Sequence, residues 1–164
     1  MALFNIWLTE RCNMNCTYCY ENNKSAKLMS NETINDLIAF ISEKYLLMDY
    51  PMINFHGGEP LIAYEQMISI IDNCIANKMN FKYSVTTNAL LLNESMVRSL
   101  REFDVYLSVS LDGNRDVHDR CRKKSDGTGT YEEVIKKIQI IKMKFHIKYK
   151  NQSESQMWQE RQAQ

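Results

Sequence analysis

The chain has no net charge, because its twenty Lys and Arg residues are balanced by twenty Asp and Glu. A balanced surface exerts no broad pull on nucleic acid or anionic lipid, so neither is an expected partner. Long apolar runs are also missing. None approaches the ~20 residues that cross a bilayer, which predicts no transmembrane helix. The opening residues lack the basic and extended apolar regions of a signal peptide, and the expected location is cytoplasmic and reducing. No second group of closely spaced cysteines or histidines follows the first.

What is present suits one domain. A chain of 164 residues, 45% hydrophobic and 24% charged, has an ordinary globular composition and enough length to bury a core. Five cysteines is an odd number, and three of them are crowded into Cys12, Cys16 and Cys19. In a reducing compartment that pattern favours metal or redox chemistry over disulfides.

Residues 3–8 are apolar except for Asn5, as in a largely buried strand ending near Thr9. After the cysteine segment, Asn31 can cap a helix with an apolar stripe of Ile34, Leu37, Ile38, Ile41 and Tyr45. Pro51 precedes a short strand over residues 52–56, which Gly57-Gly58-Glu59-Pro60 terminates. A helix presenting Met67, Ile68, Ile71, Cys74 and Ile75 inward is expected next. The order repeats with a strand over 83–87, an Asn93-capped helix through Met96, Val97, Leu100 and Phe103, and a strand over 105–111. Thr130 and Glu133 have the spacing of a capping box for a helix through Val134, Ile135, Ile138 and Ile141. Strands alternating with amphipathic helices need crossover connections, which build a parallel sheet. The expected fold is therefore α/β, a partial parallel (βα) barrel of four visible units with a fifth strand over 145–149. Residues 1–150 form its core. Residues 152–164, which hold five of the seven glutamines, read as a disordered or non-native polar tail.

Each distinctive motif lies at or just after the end of a strand. In parallel α/β folds those ends share one face, where ligands bind. Three thiolates from one loop suit soft ions and iron–sulfur assemblies. A closed zinc site, with His56 or Cys74 as fourth ligand, is the alternative. A cubane held by three cysteines would leave one iron open. In Gly57-Gly58-Glu59-Pro60, two glycines allow close approach to the backbone, which serves either a ligand or a tight turn. His118 and Asp119 read as a satisfied loop pair, Cys74 as a core thiol, and the late lysines as a solvated surface.

The cysteine segment and the Gly-Gly-Glu-Pro turn together resemble the radical S-adenosylmethionine (radical SAM) superfamily. Thr86-Thr87-Asn88-Ala89, Ser110-Leu111-Asp112-Gly113, Arg122 and Gly129-Thr130-Tyr131 narrow the likeness to the branch of anaerobic sulfatase maturases and peptide-modifying (SPASM-type) maturases. The resemblance implies that Cys12, Cys16 and Cys19 ligate a [4Fe–4S] cluster whose open iron takes SAM. It implies reductive cleavage of SAM to a 5′-deoxyadenosyl radical that abstracts hydrogen from a peptide or protein side chain. Gly57, Gly58 and Glu59, with Pro60 fixing the exit of the turn, would bind the methionine amino group. Ser110 would bond other polar groups of SAM, and Arg122 its carboxylate. Asn88 would line the mouth, and Tyr18 would pack over the cluster or adenine. A small reductant protein of flavodoxin or ferredoxin type would supply the electron. No catalytic acid or base is identifiable. The branch normally carries further βα units and a cysteine-rich domain, so the resemblance covers only its N-terminal part. A truncated copy, a subunit completed by a second chain, and a short self-sufficient variant all fit. So do a cluster- and SAM-binding fragment without turnover and, more weakly, a structural zinc protein.

Overall fold

The computed structural model describes residues 3–21 and 25–144. The expected fifth strand over 145–149 and the polar tail lie outside the described residues. Four parallel strands form one sheet in the order β1-β2-β3-β4: β1 Leu3–Trp7, β2 Met52–His56, β3 Lys82–Thr87 and β4 Val105–Val109. Helix α1 (Asn31–Tyr45) joins the first pair, α2 (Tyr64–Ala76) the second and α3 (Glu94–Glu102) the third, while α4 (Arg115–Cys121) and α5 (Tyr131–Lys144) follow β4. A strand order that never reverses keeps right-handed crossovers on one face, as in a barrel wall rather than a doubly wound sheet.

The helix-covered face carries Ile6, Ile53, Phe55, Tyr83 and Val85, all buried. They meet Ile34, Ile38 and Ile41 of α1, Met67, Ile71 and Cys74 of α2, and Val97 and Leu100 of α3 in one apolar cluster. Each such side chain contributes roughly 1.5–3 kcal/mol on burial. The opposite face is polar. Asn54 donates to Asn5 Oδ1 at 2.9 Å and accepts from the Ser84 hydroxyl at 2.8 Å, across three adjacent strands. The expectation of a largely buried β1 is corrected here, since Leu3 is 46% and Trp7 41% exposed on that polar face. A strand with helices on one side only buries alternate residues.

Local details also differ from the sequence reading. Ser30, not Asn31, caps α1, its hydroxyl accepting from Thr33 N at 3.1 Å. In α2 the buried stripe includes Ile70, while Ile75 turns outward, because the stripe is centred on Met67 and Cys74. Helix α4 had no apolar periodicity to announce it. Asn114 caps it, and its only fully buried side chain is His118. The Thr130–Glu133 capping box does not form. Asp119 Oδ1 accepts instead from Thr130 N at 2.8 Å and Tyr131 N at 2.9 Å, capping α5 from the neighbouring helix.

Candidate functional site

The cysteine loop is laid directly on the glycine turn. Gly58 N donates to Thr9 O at 2.9 Å and Glu59 N to Arg11 O at 2.8 Å. A Cβ on Gly57, whose φ is +154°, would stand 2.4 Å from Thr9 O, and one on Gly58 would stand 2.5 Å from the carbonyl oxygens of Glu10 and Arg11. Both distances are well inside contact, so the backbone that needs the room at these glycines is the protein's own. At its other end the loop is bonded to the exit of α4. Asn15 N donates to Lys123 O at 2.7 Å and Thr17 N to Cys121 O at 2.9 Å. Met14 of this loop is buried, while Cys12, Cys16 and Cys19 are partly exposed.

Glu59 turns away from solvent toward β3. Its Oε1 accepts from the Thr87 hydroxyl at 2.6 Å and Leu61 N at 3.0 Å, and its Oε2 accepts from Asn88 N at 2.8 Å. Burial pushes its carboxyl pKa up, and those three donors pull it back. Three donors are what a carboxylate only 1% exposed requires. Pro60 opens the following 3₁₀ turn, Pro60–Ala63, and is buried under the site instead of lining it. Asn88 is drawn to the centre, its Nδ2 lying 2.8 Å from Asn13 Oδ1 and 3.9 Å from Cys12 Sγ.

Across the mouth, Arg122 leaves the end of α4. Its guanidinium carbon is 5.4 Å from the Tyr18 ring centre, and its Nε is 2.9 Å from Asp112 Oδ2, which also accepts from the Tyr18 hydroxyl. His118 pins this corner from below. Its Nδ1 accepts from Asp112 N at 3.3 Å, and its Nε2 is 2.9 Å from Thr130 Oγ1, which in turn donates to Arg122 O at 3.1 Å. Those roles require the neutral ring protonated at Nε2. Burial, followed by the Arg122 charge, lowers the pKa and favours that form. His118 and Asp119 are thus satisfied structural groups, as read from the sequence, although they sit on a helix and not in a loop.

These elements enclose one cavity of about 250 Å³. Cys12, Cys16, Cys19 and Tyr18 line it with Gly57, Gly58 and Glu59, and Asn88, Ser110 and Arg122 complete the wall. Among the described residues no three His, Cys, Asp or Glu side chains converge on a site for a single metal ion. Cys12, Cys16 and Cys19 put three soft thiols on one cavity wall, a donor type that fits an iron–sulfur assembly. Sequence reasoning missed Tyr20 on the same wall, and it weighed His56, which also lines it, only as a fourth zinc ligand. Trp7 stacks on His56 with centroids 5.3 Å apart and meets Tyr20 edge-on at 6.5 Å. Alternation along β1 and β2 could have found Trp7 and His56, since both share a face with Asn5 and Asn54. Asp112 lay in a noted motif, but nothing local indicated its partners.

Known proteins resemble this chain in sequence and in fold. A sequence model of the radical SAM superfamily matches residues 6–150. An uncharacterized protein of Methanocaldococcus jannaschii is 34% identical over 137 residues, which are 82% of this chain and 46% of that protein. A cysteine-type anaerobic sulfatase-maturating enzyme of Clostridium novyi is 25% identical over 86% of this chain and 40% of its own. The solved structure of anSMEcpe with bound AdoMet and Cp18Cys peptide is similar with a TM-score of 0.75 and 26% identity, over 87% of this chain and 40% of that one. The chain thus spans less than half the length of these relatives. Its four parallel strands and strand-end cavity supply the corresponding portion of an α/β barrel, and a family match over nearly the whole described length makes this chain a member of the radical SAM superfamily.

Proposed function

We propose that Cys12, Cys16 and Cys19 hold a [4Fe–4S] cluster, that SAM binds beside it, and that a protein containing this chain modifies a peptide or protein side chain. The observation that carries the reading is the meeting of three thiols with Gly57, Gly58, Ser110 and Arg122 on one cavity wall. Bound there, cluster and SAM would supply one-electron cleavage of the sulfonium C–S bond, giving methionine and a 5′-deoxyadenosyl radical that takes hydrogen from substrate.

The chain's own residues bind and orient. The Gly57–Gly58 turn offers backbone to the ligand's amino group. Glu59 supports that turn from behind, since its carboxylate is engaged by Thr87, Asn88 and Leu61. Arg122 receives the carboxylate, Ser110 a further polar group, and Asn88 steadies the cysteine loop beside Cys12. Tyr18 covers Arg122. The peptide as substrate is supported by the sulfatase-maturating relative and by the peptide in the anSMEcpe structure. The electron would come from a small flavodoxin- or ferredoxin-type protein. The free edge of β4, which pairs only with β3 among the described residues, is assigned to the rest of the barrel, from a longer form of this chain or a second polypeptide. In the described residues no helix is long and apolar enough to cross a membrane.

Anaerobic reconstitution with iron and sulfide tests the proposal. About four irons and four sulfides per chain, a brown colour, and 5′-deoxyadenosine on adding SAM and dithionite are expected. One tightly held zinc and no cluster would overturn it. Because the chain spans less than half of its relatives, a second reading is a binding subunit, marked by iron and SAM binding without 5′-deoxyadenosine.

A further inference from the structure

Asp112 gathers two partners on a single oxygen. Its Oδ2 accepts the Tyr18 hydroxyl and stands 2.9 Å from Arg122 Nε, in a pair whose side chains are 17% and 14% exposed respectively. The Nε–H is not aimed at an acceptor, so this contact is a close charge pair rather than a hydrogen bond. The Tyr18 ring covers one side of the guanidinium at 5.4 Å. The backbones of both charged residues are fixed as well, with Arg122 N donating to His118 O at 2.7 Å and Asp112 N donating to His118 Nδ1.

A half-enclosed ion pair is seldom retained for stability, because desolvating two charges offsets most of their attraction. This one makes its closest approach at Nε. A guanidinium carries five N–H donors in a planar fork, so a second carboxylate can take those at its terminal nitrogens. Arg122 is on the cavity wall, and without a carboxylate beside it the long side chain would sample many rotamers.

We infer that Asp112 is a positioning residue for carboxylate recognition, holding the Arg122 guanidinium in the orientation that meets the carboxylate of the amino-acid end of SAM. Through the shared Tyr18 hydroxyl, that orientation is tied to the loop bearing Cys16 and Cys19. The inference rests on the SAM site proposed above.

Equilibrium dialysis under anaerobic conditions tests it, using the full chain reconstituted with iron and sulfide and two probes, SAM and decarboxylated SAM. Asp112→Asn keeps the shape and removes the charge. Its dissociation constant for SAM is expected to rise about tenfold, roughly the effect of one charge-assisted contact, while that for decarboxylated SAM stays within about twofold and iron content is unchanged. Tyr18→Phe, which keeps the ring and removes one donor, is expected to show a smaller change of the same selectivity, and gives the test if Asp112→Asn fails to fold. Equal weakening for both probes, or none, overturns the inference by making Asp112 merely structural. Tighter SAM binding overturns it by showing that Asp112 competes with the ligand. Wild-type protein that carries the cluster yet binds neither probe overturns the SAM reading itself, and the inference with it.

Discussion

The Thr87 hydroxyl donates to Glu59 Oε1 across 2.6 Å, so the carboxylate after the β2 turn is held by the end of β3. Both side chains are 1% exposed. This bond joins two of the strand-end loops that make the cavity, and it leaves the ligand mainly the backbone of the glycine turn. Thr87→Val removes it, and also removes the acceptor for Ala89 N at 3.0 Å, without changing volume much. A loss of about 1–3 kcal/mol is expected in urea denaturation, because a buried carboxylate and a buried amide each lose a partner. An unchanged midpoint would show that water replaces the hydroxyl.

Gly58→Ala should disrupt the cysteine loop directly. The added methyl would lie 2.5 Å from two backbone carbonyl oxygens, which cannot swing aside as a side chain does. We expect destabilisation of about 2 kcal/mol or more, together with loss of most iron binding after reconstitution. Gly127→Ala is the control. Its φ of +83° makes alanine strained, but nothing lies within 4 Å of the new Cβ, so iron content should be unaffected.

Replacing Cys12, Cys16 or Cys19 singly with serine should abolish the brown colour and iron retention. Cys74→Ala should keep them, because Cys74 is fully buried in the apolar cluster behind the sheet. Its expected cost is confined to stability, about 1 kcal/mol for a small cavity. Loss of iron in Cys74→Ala, with all three other variants still loaded, would reverse the ligand assignment.

His118 predicts a pH dependence of stability. Its folded pKa lies below the ordinary 6.5 through burial and then the Arg122 charge, while Asp112 and Asp119 pull it the other way. In the window between the folded and unfolded values the unfolded chain binds more protons, so stability rises with pH there. The stabilisation is present above pH 6.5 and is lost as pH falls below that value. Thermal unfolding should therefore show a wild-type midpoint that drops as pH falls below 6.5, and His118→Gln should flatten that dependence while lowering the midpoint at neutral pH. Parallel curves for the two proteins would remove His118 as the cause.

Much of the fold was legible in the chain because periodicity is a local property. Ile34, Ile38 and Ile41 recur at helical spacing and are buried, and the strand over residues 52–56 ends at the Gly-Gly turn as read. Cys12, Cys16 and Cys19 with Gly57 and Gly58 were recognisable by residue type and spacing, Arg122 only through the family resemblance, and all of them line the cavity. Misreadings arose where a residue's surroundings come from elsewhere in the fold. β1 looks apolar in isolation, yet among the described residues the side of the sheet bearing Leu3 and Trp7 has no helical cover. Thr130 and Glu133 have the spacing of a cap, yet Asp119 reaches the helix end first and the Thr130 hydroxyl is engaged by His118 and Arg122.

By itself, then, the chain's order of residues determined which segments become strands and helices and which strand ends carry reactive groups, since neighbours in sequence share one element and its period. Only the tertiary structure decided which of those groups meet. Glu59 finds Thr87 across 28 positions and Tyr18 finds Asp112 across 94, contacts that no local pattern encodes. They exist because four parallel strands bring their ends to one rim, where buried charge must find donors or another charge.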